Sequence, residues 1–203
     1  MALKDRAQRI GIWIIAIVMT VGTLGSFVVI ILANDNQAKD QATAAEQQKS
    51  YTAQLAEYTK QQKIIAQTNA DNSEPLSGYA ARTFDPVAVT ALKVDTLIQG
   101  TGDTVKSTDS INASYFGWTS DGKIFDSSKK KGANDTPVTF ALNGVIKGWT
   151  EGLTDVKVGS VVRLTIPSDK AYGPTGSGII PANAPLEFIV QIQKVDNSKA
   201  TTK

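Results

Sequence analysis

The sequence predicts an α+β fold, a twisted antiparallel β-sheet wrapped over one short α-helix, carried behind an N-terminal transmembrane helix and a helical stalk. Three observations predict it. Ile10 to Leu32 holds no charged residue. Asn34 to Asn69 is rich in Gln, Ala, Lys and Glu and contains neither Gly nor Pro. Beyond Pro86, short runs alternate apolar and polar residues, the period of a half-buried strand, with one stretch of helical spacing among them.

At about 1.5 Å per residue the first run makes a helix of about 34 Å, enough for a hydrocarbon core of roughly 30 Å. A cleaved signal peptide has a shorter apolar region and small residues before the cut. Here the run is too long, and the candidate site Ile31-Leu32-Ala33 has a bulky residue at its first position. Lys4, Arg6 and Arg9 precede the run and only Lys39 follows closely, which places the N-terminus in the cytoplasm and the rest outside. Residues 1–9 are thus a cytoplasmic N-terminus and 10–33 a signal anchor.

Residues 34–69 consist of good helix formers and read as a stalk. Tyr51, Leu55, Tyr58, Gln62 and Ile65 fall at spacings of four and three, a coiled-coil-like seam. It is only about two heptads long, against the three or four that define a coiled coil, so self-association of the stalk stays open. Residues 70–85, with Asn72, Ser73, Pro75, Ser77 and Gly78, read as a linker. The folded domain is expected over 86–196, and 197–203 form a disordered tail.

Within the domain, Ile111-Ala113-Tyr115, Val162-Leu164-Ile166 and Leu186-Phe188-Val190-Ile192 each put apolar side chains on one face and polar ones on the other. Gly100 to Asp103 and Ser120 to Lys123 supply turns. Val145, Trp149 and Leu153 share one face at helical spacing, so a short helix packs its Trp under the sheet. Gly148 and Gly152 inside that helix each cost about 1 kcal/mol relative to Ala, which close packing against strands explains.

Composition narrows the chemistry. The chain has 203 residues, net charge +2, and neither Cys nor His. Disulfides, thiolate nucleophiles, a lipoprotein Cys anchor and imidazole bases are excluded, and no metal or other cofactor is expected. No basic block is long enough to follow a phosphate backbone, so nucleic acid is not an expected partner. Lys129-Lys130-Lys131 reads as a solvated loop.

Four motifs in order carry a resemblance. They are Phe125-Asp126-Ser127-Ser128 after Tyr115-Phe116-Gly117, the run Val145 to Leu153 followed by Val158-Gly159, Ile166 to Gly173, and Gly178 to Phe188. Over Leu92 to Val195 the sequence resembles the FKBP-type peptidyl-prolyl cis-trans isomerases. The resemblance implies a bowl in which a proline ring sits over Trp149. Its walls are Tyr115, Phe125, Val145, Ile146 and Phe188, with Phe140 as a second strand aromatic, Tyr172 at the rim and Asp126 beneath. The loop Pro174 to Pro185 resembles the flap, with Ile179 and Ile180 over the mouth. Val138 stands where many relatives carry an aromatic and lines a more open wall, and Ser177 falls near a position often occupied by His.

The resemblance further implies catalytic roles for Tyr115, Asp126, the Ile146 backbone N–H and Tyr172. It implies proline-containing polypeptides as substrates and rapamycin-type macrolides as inhibitors. The expected function is isomerisation of X-Pro bonds in exported proteins, by a single-pass membrane protein whose isomerase domain lies outside the cytoplasm. The rival from another class is a non-catalytic module that holds a proline-containing partner on a membrane stalk.

Overall fold

The computed structural model describes residues 37–196. The N-terminal segment 1–9, the anchor 10–33, the first stalk residues and the tail 197–203 lie outside the described residues. Among the described residues, no helix is long and apolar enough to cross a membrane.

Helix α1 spans Gln37–Asp71 and accounts for the Gly- and Pro-free composition of the stalk. The chain divides after Lys60 into two compact units. In the first, the seam residues Tyr51, Leu55 and Tyr58 are exposed. The second unit begins with the end of α1. There the Asn72 N–H donates to the Thr68 C=O at 3.1 Å and the Ser73 hydroxyl donates to the Asn69 C=O at 2.7 Å. Pro75 cannot extend the helix, and the chain turns away.

The strands are β1 (Lys93–Ile98), β2 (Ser110–Thr119), β3 (Ile124–Ser127), β4 (Val138–Ala141), β5 (Val161–Ile166) and β6 (Leu186–Val195). All pair antiparallel, in the order β1-β5-β6-β2-β3, and β4 also pairs with β2. The short helix α2 (Lys147–Leu153) lies against one face. A Cβ added to Gly148 would stand 2.3 Å from Ile166 Cγ2, so the helix approaches β5 as closely as its glycines were expected to permit.

The period-two runs are strands, and their odd and even positions separate into two cores. Ile111, Ala113 and Tyr115 of β2, with Val162, Leu164 and Ile166 of β5 and Phe188, Val190 and Ile192 of β6, pack around α2. The opposite face is not the polar, solvated surface that alternation suggested. Phe116, Trp118, Val161 and Ile189 are buried there under Leu76, Tyr79, Ala81 and Phe84.

Residues 70–85, expected as a linker, are therefore a strap packed on the sheet. Its polar groups are tied as well. The Trp118 indole N–H donates to the Arg82 C=O at 2.9 Å, and the Phe84 N–H to the Ser120 C=O at 3.0 Å. The Arg82 guanidinium reaches the carboxylate of Glu187, a β6 residue only 2% exposed, through two bonds of 3.1 and 3.3 Å. Thr165 donates to the same carboxylate at 2.9 Å. The domain thus starts about fifteen residues earlier than the composition shift at Pro86 indicates, because apolar contact rather than regular periodicity defines its edge.

Candidate active site

The floor of the site is built by α2. Ile146, in extended conformation, precedes the helix, and its C=O accepts from the Trp149 and Thr150 N–H groups at 2.9 and 3.2 Å. The Ile146 N–H itself has no acceptor among the described residues. One turn on, Trp149 is 4% exposed, and three rings meet its indole edge-on at centroid distances of 5.3 Å: Tyr115 from β2, Phe140 from β4 and Phe188 from β6. Edge-to-face pairs of this kind each add about 0.5–1.5 kcal/mol beyond area burial. Phe125 from β3 meets Phe188 edge-on at 5.5 Å. That pair depends on Gly117 of β2, where a Cβ would stand 2.4 Å from the Phe188 ring and 2.6 Å from Phe125.

Burial grades from floor to rim. Tyr115, Phe125, Phe140, Trp149, Ile180 and Phe188 are buried, whereas Val138, Val145, Ile146, Tyr172 and Ile179 pack on the same cluster and keep part of their surface exposed. Eleven of the twelve residues singled out in the sequence therefore share one apolar cluster. The flap tip is a tight turn in which the Ser177 and Ile180 N–H groups donate to each other's C=O at 3.0 and 2.8 Å.

The twelfth residue, Asp126, supplies the charge. The Tyr115 hydroxyl donates to Asp126 Oδ2 at 2.5 Å, while Oδ1 accepts from the Ser127 N–H at 2.9 Å and Lys130 Nζ at 3.1 Å. Burial first, and the Asp126 carboxylate second, hold the Tyr115 phenol well above its ordinary pKa of 10. The same two causes, in the same order, push Tyr172 up to about 12. Both phenols are protonated at neutral pH: Tyr115 spends its proton on Asp126, and the Tyr172 hydroxyl has a proton to donate.

Two polar residues escaped the sequence reading. Lys130, taken with its neighbours as a solvated loop, pairs with Asp126 and also donates to the Ser73 hydroxyl at 3.1 Å. Lys129 pairs with Glu74 at 3.4 Å. Ser73 and Glu74 come from the strap, more than fifty residues upstream, so no local signal marks these two contacts.

The fold and the aromatic floor can be set beside known proteins. Residues 102–193 match the model of the FKBP-type peptidyl-prolyl cis-trans isomerase family. Residues 102–193 are an FKBP-type domain. The chain is 37% identical over 152 residues to the FKBP-type peptidyl-prolyl cis-trans isomerase FkpA of Aeromonas hydrophila, covering 74% of this chain and 56% of that protein. It is 36% identical over 136 residues to FkpA of Escherichia coli K12, covering 67% and 49% respectively. The solved structure of Escherichia coli FkpA is 30% identical, with a TM-score of 0.49 over 80% of this chain and 74% of that one. The chain spans about half the length of the curated relatives it matches. The strap and α1 lie N-terminal to the matched residues.

Proposed function

We propose that the protein is a peptidyl-prolyl cis-trans isomerase. One observation carries the reading: an indole floor ringed edge-on by Tyr115, Phe140 and Phe188, with the Tyr115–Asp126 pair in its wall. X-Pro bonds isomerise slowly because the amide must lose its partial double bond, against a general barrier of about 18–20 kcal/mol. No covalent bond breaks. The catalyst has only to bind the twisted amide better than the flat one.

An apolar bowl does this by excluding water. The planar amide is the more dipolar form and loses more hydration on entry than the twisted one. The proline ring rests over Trp149. The Ile146 N–H, without an acceptor among the described residues, donates to one substrate carbonyl, and the Tyr172 hydroxyl to a neighbouring one. Asp126 orients Tyr115 and faces the carbonyl-carbon side of the twisting bond. Each such bond need contribute only about 1 kcal/mol of preference, roughly fivefold in rate.

In the cell, residues 10–33 anchor the chain with its N-terminus in the cytoplasm, α1 extends outward as a stalk, and the domain acts on proline-containing segments of exported polypeptides. The supports are the uncharged run and the Lys4, Arg6, Arg9 asymmetry. Rapamycin-type macrolides occupy the same bowl and compete with substrate. The exposed Tyr51, Leu55 and Tyr58 seam is where stalks would pair. The deciding experiment measures cis-to-trans conversion of a short Leu-Pro or Phe-Pro peptide with the full chain. Acceleration over the spontaneous rate is expected. Peptide binding without acceleration would leave a holding module in its place.

A further inference from the structure

The end of α1 touches the site from two sides. At the flap, a Cβ added to Gly178 would stand 2.7 Å from the Ala66 Cβ, so the flap tip rests on the helix. At the wall, residues 72–74 run antiparallel to the loop after β3. The Lys131 N–H donates to the Asn72 C=O at 2.8 Å, the Glu74 N–H to the Lys129 C=O at 3.0 Å, and the Ser127 hydroxyl to the Glu74 C=O at 2.6 Å. Ser73 and Lys130 face each other as a bridge between these segments.

Proton directions along the resulting chain follow from its members. A serine hydroxyl has one proton and an ammonium only donates. The Ser73 proton goes to the Asn69 C=O of the last helical turn, so its lone pairs are available to Lys130 Nζ. Lys130 then donates to Asp126 Oδ1, while Oδ2 takes the Tyr115 proton. The carboxylate is thereby held at both oxygens from opposite ends. Without Lys130, only the Ser127 N–H remains on Oδ1.

We propose that Ser73, acting through Lys130, is a positioning residue for Asp126, so that the end of the long helix sets the orientation of the site's carboxylate. The proposal rests on the isomerase reading above. The Lys130 and Asp126 side chains are 38% and 35% exposed, and pairs this exposed contribute little to stability. Their effect is therefore expected in turnover rather than in folding.

The test uses full-length Ser73→Ala, Lys130→Met and the double variant, with Lys129→Met as a control that loses only the Glu74 pair. Each single variant at 73 or 130 is expected to lower kcat for a Leu-Pro peptide about fivefold. KM should not move, the thermal midpoint should hold in Lys130→Met and fall only slightly in Ser73→Ala, whose hydroxyl also bonds the Asn69 C=O, the double variant should turn over no more slowly than Lys130→Met, and Lys129→Met should match the parent. Unchanged kcat in Ser73→Ala, additive losses, or a loss that tracks a fallen midpoint would each overturn the assignment while leaving the isomerase reading in place. An inactive parent protein would instead overturn that reading and this one with it.

Discussion

Removing the strap should unfold the domain rather than shorten it. Phe116, Trp118, Val161 and Ile189 are each between 0 and 2% exposed beneath it. Returning an apolar side chain of this size to water costs roughly 1.5–3 kcal/mol, so uncovering four costs about 6–12 kcal/mol. Typical domains are stable by only about 5–15 kcal/mol. Freeing the buried Glu187 carboxylate from Arg82 adds to the loss, discounted because the Arg82 side chain is itself 54% exposed. A chain beginning at residue 86 should therefore show no cooperative urea transition by tryptophan fluorescence, whereas one beginning at residue 61 should show a single one. Leu76→Ala in the longer chain gives the graded version, with an expected loss of about 2–5 kcal/mol. Cooperative unfolding of the chain from residue 86 within about 2 kcal/mol of the longer one, the low end of the Leu76→Ala loss, would show that the strap is not part of the folded core.

Three further outcomes are expected. Trp149→Leu should act mainly on proline-ring binding, raising KM for a Leu-Pro peptide about tenfold, as one lost aromatic contact of 0.5–1.5 kcal/mol plus lost burial implies; steady-state kinetics with kcat lowered and KM unchanged would contradict the placement of the ring. Asp126→Val and Tyr172→Phe should each lower kcat/KM, the latter about fivefold for one hydrogen bond, with near-ultraviolet circular dichroism preserved. Full activity in both would remove their polar roles. The pH profile follows from Tyr172: its phenol keeps its proton up to about 12 in the fold but releases it near 10 when unfolded. The folded state then binds more protons between those values, so stability is fully present below pH 10 and is lost as pH rises through 12, by about 3 kcal/mol at most. Tyr172→Phe should flatten that loss in urea titrations, and the parent's turnover should stay level from pH 7 to 10.

The residues legible in the sequence were those that obey a period or a motif. Alternation placed Tyr115 and Phe188 on one face of their strands, and helical spacing put Trp149 beneath them. The strap was hidden because Leu76, Tyr79 and Phe84 follow no period and lie among Ser, Gly and Pro, which signal turns whether or not the segment packs. Glu187 occupies a position that alternation assigns to solvent, and Arg82, 105 residues earlier in the chain, together with the Thr165 hydroxyl makes its burial tolerable. Lys130 was lost within a run of three lysines, since charge runs default to solvated loops and its acceptor Ser73 lies 57 residues away.

Because Gly148 lets α2 settle onto Ile166 with no room for even one methyl group, the depth of the proposed bowl is governed by an absent atom. Any side chain at that point would lift the indole toward the mouth and make the cup shallower, while leaving every group that lines it chemically intact. In the proposed site, a substitution at Gly148 is therefore expected to change the pocket from behind the floor, at a buried position away from the mouth.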